Sequence, residues 1–251
     1  MILLALETTT DRLSVAARRL GVSAAGEGGG GDERETVRSF DGARMHAAKL
    51  FPLMDEVLEE LGVSLRDVDA LAVADGPGSF TGLRVGAAAA KALIRSRPGM
   101  TLWTASTLLV RAAGAMPPRG ARVLVVTSAL RGELYAASYR LELPNTVEVL
   151  MAPALATPES LQRETPDLLV ADAPEKLVDR LADQLAVPLV RGAPARPGAA
   201  ALASLVGVPG GAERITDVDR WEPLYGRPAE AQARWENAHG RRLPDSIGPA
   251  R

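Results

Sequence analysis

Three observations predict that this 251-residue chain folds as a two-lobed α/β protein. Short apolar runs of strand length alternate with helical stripes of apolar residues, the pattern of sheets covered by helices. The succession strand, hairpin, helix, strand, helix occurs twice, once from Ile2 and again from Val123, a repeat of topology rather than of residues. Hydrophobic residues make up 47% of the chain but aromatic ones only 4%, so the core is built mainly from Ala, Val and Leu, whose small volumes let helices and sheets approach closely. We place one lobe at residues 1–105, a second at 106–227 and a tail at 228–251.

The elements follow in order. Ile2 to Leu6 is a continuous apolar run ending in the hydroxyl-rich turn Glu7-Thr8-Thr9-Thr10, as expected of a buried strand emerging at a sheet edge. Leu13–Leu20 and Thr36–Phe40 form a hairpin, joined through Gly21–Asp32, whose four consecutive glycines disfavour regular structure. From His46 to Leu61 the residues Leu50, Leu53, Met54, Val57, Leu58 and Leu61 recur at three- and four-residue steps and stop at Gly62, an amphipathic helix with its end marked. Pro52 places the start of its regular part nearer Leu50. Ala70–Ala74 is the next strand, followed by the turn Asp75–Gly82 and a helix over Leu83–Arg95 whose middle is Gly86 and four alanines. Small residues on every side suit a helix packed on more than one face, although alanine is also the best helix former.

Met100–Thr104 and Val123–Thr127 read as strands around a helix at Ser106–Ala115. A second hairpin, Leu134–Leu141 with Val147–Ala152, precedes a helix at Pro158–Arg163, a strand at Leu168–Ala171 and a helix at Pro174–Gln184. After Val190 prolines and glycines loosen the chain around an Ala-rich helix at Ala199–Val206, and the tail holds one short helix, Ala229–Ala238.

Composition excludes several function classes. Lys and Arg number 29 against 31 Asp and Glu, a formal charge of −2, which offers no general positive field to a polyanion. There is no cysteine, removing thiolate nucleophiles and sulfur-ligated zinc. The two histidines, His46 and His239, are too far apart in sequence to share a helical face, so no protein metal site is expected. The apolar start Met1–Leu6 meets Glu7 too soon for a signal peptide, and no run reaches the ~18 residues of a membrane span. A cytoplasmic protein that does not engage membranes is expected.

Two places invite a chemical reading. Gly76-Pro77-Gly78-Ser79-Phe80-Thr81-Gly82 could turn backbone N–H groups toward an anion at a helix start. It has no Lys-Ser or Lys-Thr after Gly82, its glycine spacing is one residue too long for the dinucleotide fingerprint, and Pro77 occupies the first-glycine place of a nucleophile elbow. A structural turn is favoured. Glu7, Thr8, Thr9 and Thr10 are weak candidates for a nucleotide's phosphates, set against the plainer role of satisfying backbone groups at the turn. His46 reads as a helix flank, and no catalytic residue can be named.

Leu3–Thr10, Leu13–Ala16 and Gly76-Pro77-Gly78-Ser79-Phe80-Thr81-Gly82-Leu83-Arg84-Val85-Gly86 resemble the bacterial TsaB (YeaZ) family, accessory subunits for threonylcarbamoyladenosine synthesis in tRNA. Ser64–Ala70, Arg131-Gly132-Glu133-Leu134-Tyr135 and Pro223–Arg227 add to the likeness, which is dense over roughly the first 140 residues. The resemblance implies the actin-like, Hsp70 and sugar-kinase (ASKHA) fold, consistent with the duplicated topology. It also implies a scaffold without its own active site or cofactor. Its partners would be a catalytic TsaD-like sister subunit, a TsaE-like ATPase, and tRNA bound through the complex, with ATP or ADP confined to the assembly. His46, Leu50, Leu53, Met54, Arg84, Val85, Ala88, Ala89 and Lys91, on the two helices of the first lobe, would form the partner interface, and the same surface a homodimer when the chain is alone. Ser128 stands where relatives commonly carry an Asp, which removes an acidic companion for Glu7 and weakens the alternative, an autonomous small-molecule kinase of the same fold.

Overall fold

The computed structural model describes residues 1–20, 33–42, 44–129, 133–225 and 239. The glycine-rich link at 21–32, Arg131 with Gly132, and the tail helix expected at 229–238 lie outside the described residues. Eleven strands form two sheets among the described residues. In the first, β1 (Ile2–Glu7) pairs antiparallel with β2 (Arg12–Arg19), which pairs with β3 (Arg34–Asp41). On its other side β1 runs parallel to β4 (Ala70–Ala74), and β4 to β5 (Thr101–Ala105). In the second, β6 (Ala121–Ser128), β7 (Leu134–Glu142) and β8 (Thr146–Ala156) form the meander, while β9 (Leu168–Asp172) and β10 (Leu189–Arg191) continue it in parallel. The spatial orders β3-β2-β1-β4-β5 and β8-β7-β6-β9-β10 are the same pattern, so the topology is duplicated. A last strand, β11 (Glu213–Ile215), returns from the far end of the chain to the edge of the first sheet beside β5.

Among the described residues six named helices complete the layers: α1 (His46–Leu61), α2 (Phe80–Ser96), α3 (Thr107–Gly114), α4 (Pro158–Leu161), α5 (Glu175–Leu185) and α6 (Ala199–Ser204). Alternation along the strands sorts the core. Leu4, Leu6, Leu13, Val15, Leu71 and Val73 face α1 and α2, whereas Ala5, Ala16, Ala70, Ala72 and Ala74 face the opposite way, where α3 and α6 lie between the two sheets. Alanines on that inner face let the central helices sit close to the first sheet. Val178 and Leu181 of α5 cover the outer face of the second.

Two starts differ from the sequence expectation. α1 begins at His46 rather than near Leu50, with Pro52 inside it; Pro52 and Ala48 are both exposed, so the carbonyl that loses its helical donor faces water. α2 begins at Phe80 rather than Leu83, because the Ser79 hydroxyl accepts a hydrogen bond from the Gly82 N–H at 3.2 Å and caps the first turn. β10 and β11 carry no sequence periodicity and form by pairing with strands distant in the chain.

Candidate functional site

A cleft of about 710 Å³ opens between the two sheets. Its walls are the β1–β2 turn (Thr9, Thr10, Asp11, Arg12), the glycine turn (Pro77, Gly78, Ser79), the end of β3 (Asp41, Gly42), Arg111 of α3, and Thr127, Ser128, Tyr135, Asp172 and Arg196 from the second half of the chain. Of the four residues named from the sequence, Thr9 and Thr10 line the cleft, while Glu7 and Thr8 are buried behind it. Glu7 is fully buried, and its Oε1 accepts from both the Thr9 N–H and the Thr9 hydroxyl, each at 2.6 Å. Burial pushes the Glu7 carboxyl above its ordinary value, opposed by these Thr9 bonds and by the positive charge of Arg111. The Thr8 hydroxyl donates to Gly82 O at 2.8 Å, and Thr10 Oγ closes a small turn with the backbone of Arg12 at 3.2 Å.

The glycines have a specific steric cause. A methyl group on Gly82 would stand 1.9 Å from Thr8 O, one on Gly78 2.4 Å from Thr9 O, and one on Gly86 2.6 Å from Thr8 Oγ. The start of α2 therefore lies directly against the β1–β2 turn, fastened by the Ser79 N–H donating to Thr9 O at 2.7 Å. The glycine string serves close approach of backbone to backbone rather than an open cradle for phosphate.

Arg111 is the cleft residue that sequence reasoning missed. It is 4% exposed, donates from Nη1 to Ala195 O at 2.7 Å and from Nη2 to Asp172 at 2.8 Å, and so ties α3 to the second half of the chain. A signal was present: Arg111 is a lone charge inside the apolar helix Thr107–Gly114. At the cleft mouth Arg196 pairs with Asp41 at 3.0 Å, and Arg12 donates to Ser39 Oγ at 2.8 Å. Arg12, Arg111 and Arg196 are matched in the cleft lining by Asp11, Asp41 and Asp172, so the cavity presents no net charge to a polyphosphate. Ser128, exposed at the end of β6, donates its hydroxyl to Ala129 O at 3.2 Å. Among the described residues no three His, Asp or Glu side chains converge on a metal-sized site, and no helix is long and apolar enough to cross a membrane.

The structure assigns faces to the two helices expected to meet a partner. His46, Leu50, Leu53 and Met54 of α1 are turned into the core of the first sheet, as is Ala89 of α2. Arg84 and Ala88 are exposed and Val85 and Lys91 half-buried. Arg84 stacks over the Phe80 ring at 4.1 Å, and Lys91 pairs with Glu222 at 2.7 Å. On α1, Phe51 is 49% exposed. It is an apolar residue off the buried stripe, which is the signal that a search for periodicity passes over. His239 is exposed.

Comparison with known proteins places these features. Residues 40–191 match the family described as TsaD, tRNA N6-adenosine threonylcarbamoyltransferase. The tRNA threonylcarbamoyladenosine biosynthesis protein TsaB of Escherichia coli is 40% identical over 98 residues, 39% of this chain and 42% of that protein. The matched stretch thus spans less than half the length of that curated relative. An uncharacterised protein of Mycobacterium tuberculosis is 35% identical over 174 residues, 69% of this chain and 72% of its own length. The solved structure of YeaZ from Pseudomonas aeruginosa superposes with a TM-score of 0.66 at 25% identity, covering 89% of this chain and 99% of that one. The fold is therefore of the actin-like, Hsp70 and sugar-kinase type, as its duplicated sheets require.

Proposed function

The chain belongs to the TsaB (YeaZ) family, and from that premise we infer that it serves tRNA threonylcarbamoyladenosine biosynthesis as a non-catalytic accessory subunit. The observation that carries this reading is that the fold engages Glu7 Oε1 and the hydroxyls of Thr8, Thr9 and Thr10, and buries Glu7 Oε2 without a partner. The carboxylate and hydroxyls that a kinase of this architecture would turn toward phosphates are bonded to Thr9, Gly82 and Arg12 instead. Charge matching across the cleft supports the same reading, since a nucleotide triphosphate gains little from a lining whose three arginines are offset by three aspartates, two of them in direct ion pairs. Both features weigh against the kinase alternative.

In this reading a catalytic sister subunit of TsaD type docks on the outer strip of α1 and α2, at Phe51, Arg84, Val85 and Ala88. Small exposed side chains such as Ala88 let a partner helix approach closely, with Phe51 as an aromatic anchor. A TsaE-type ATPase joins the assembly, tRNA is held mainly by the partners given a chain charge of −2, and the same strip makes a homodimer when the chain is alone. The test is threonylcarbamoyl transfer to unmodified tRNA by the sister subunit and the ATPase, with and without this chain. Transfer that requires the chain, when the chain alone neither hydrolyses ATP nor modifies tRNA, is the expected result. Transfer indifferent to it refutes the assignment.

A further inference from the structure

After β11 the chain runs over α2 as a strap, Asp217–Tyr225, that has no regular structure apart from a turn at 218–220. Its outer half is held by charge. Arg95 donates to Asp219 through Nη2 at 2.5 Å and Nε at 3.2 Å, and Lys91, one turn earlier on the same helix face, donates to Glu222 at 2.7 Å. Between those two acids Trp221 enters the core of the first sheet, 4% exposed, with the Lys91 ammonium 5.9 Å from its ring centre. The inner half is held by backbone. The Leu224 N–H donates to Asp75 O at 2.7 Å, Leu224 O lies so close to Gly76 that a methyl there would be 2.1 Å away, and the Tyr225 ring meets Phe80 at 5.1 Å.

The turn that the strap grips has a second side. Pro77, Gly78 and Ser79 form a wall of the cleft, the Ser79 N–H donates to Thr9 O, and Gly76 O accepts from the Thr107 N–H at 2.8 Å. One short segment therefore touches half-buried Lys91 and exposed Arg95 of α2 at one end and the cleft wall at the other. We propose that the strap is a latch: docked, it fixes the Gly76–Ser79 wall, and released from Lys91 and Arg95 it loosens that wall. This inference stands apart from the functional reading above, since it concerns contacts within one chain.

The test is amide hydrogen exchange on the full chain with the double reversal D219K/E222K, both acids being exposed at the surface. The latch predicts that the Leu224, Ser79 and Thr107 amides lose protection together, by about tenfold, while amides of β6 and β7 keep theirs. Adding K91E/R95E to re-form the pairs with inverted sign restores all three. Loss at Leu224 with Ser79 and Thr107 unchanged overturns the proposal, because the strap is then a tether with no hold on the cleft wall. No loss at any of the three overturns it as well, as does a failure of the inverted pairs to restore protection. Should the double reversal lower protection throughout the chain, Glu222→Gln read at the same three amides decides by the same criteria.

Discussion

Gly82→Ala separates a packing role for the glycine string from a ligand-binding one. The added methyl stands 1.9 Å from the backbone oxygen of Thr8, and neither partner is a flexible side chain that can swing aside. Ordinary contact requires the start of α2 to retreat by about 1.5 Å from the β1–β2 turn. That retreat stretches two hydrogen bonds, Ser79 N–H to Thr9 O and the Thr8 hydroxyl to Gly82 O, each contributing about 1 kcal/mol net. Overpacking adds about 1–3 kcal/mol, and the better helix propensity of alanine returns about 1 kcal/mol. The expected loss is about 2–4 kcal/mol, read from the urea midpoint by far-ultraviolet circular dichroism at unchanged slope. Gly86→Ala is the internal control. Its methyl meets the Thr8 hydroxyl at 2.6 Å and makes ordinary contact with Val73 at 3.5 Å; turning that hydroxyl aside gives up its bond to Gly82 O but moves no backbone, and the helix propensity of alanine returns about as much, so the loss there is about 1 kcal/mol or less. A Gly82→Ala chain within about 0.5 kcal/mol of the parent would refute the steric account and reopen the phosphate-loop reading.

Glu7→Gln keeps an oxygen for the two Thr9 bonds and removes the buried charge. Because the folded carboxyl is raised, the stability it contributes is present below the unfolded value and is lost as pH rises through the folded one. The variant is therefore at least as stable as the parent at pH 7, and this advantage disappears in acid; denaturant midpoints across pH decide it, and a variant weaker than the parent at neutral pH contradicts the argument. Arg111→Met strands Ala195 O, while Asp172, half-exposed, is rehydrated, so a loss of about 2–3 kcal/mol is expected in thermal unfolding. Ala88→Arg, on the exposed face of α2, leaves the unfolding midpoint within about 0.5 kcal/mol of the parent and abolishes co-elution with the TsaD-type sister. Ala89→Arg, 7% exposed, destabilises the monomer itself by about 2–4 kcal/mol; equal behaviour of the two variants would show that the faces of α2 are misassigned.

The sequence made the main elements legible wherever local pattern and tertiary burial agree. Ala70–Ala74 is a strand with the expected bounds, and the stripe from Leu50 to Leu61 is the buried face of α1. β10 and β11 are three residues each, below the length at which alternation can register, and they exist because Leu169–Ala171 and Leu102–Thr104 offer them an edge. At the site, Glu7 to Thr10 were found because hydroxyls and a carboxylate after a buried strand are conspicuous. Their partners were not, since whether Thr8 Oγ turns to a ligand or to Gly82 O depends on a helix 74 positions away. Partner residues chosen by hydrophobic periodicity fell partly in the core for a related reason. Periodicity marks the face that folding buries, and the face proposed for another chain is marked by exceptions to it, Phe51 and Ala88.

Duplication adds a comparison internal to the molecule. The β1–β2 turn and the β6–β7 turn hold the same place in their respective sheets, and α2 and α5 follow β4 and β9 in the same way. In the first half Gly78, Gly82 and Gly86 bring the helix against the turn until backbone meets backbone. In the second half the helix begins after Pro174 with Glu175 and Lys176, and a cavity of about 620 Å³ stands between it and Ser128, Ala129 and Glu133. The close approach in the first half is thus a property of its glycines rather than of the shared topology. Sealing stiffens the first half where α1 and α2 present their outer strip, because the hydroxyls of Thr8 and Thr9 are fixed by helix and strand together. A rigid docking face and a ligand-binding turn make opposite demands on the same residues, and the glycines and threonines of the first half fit the docking face proposed above.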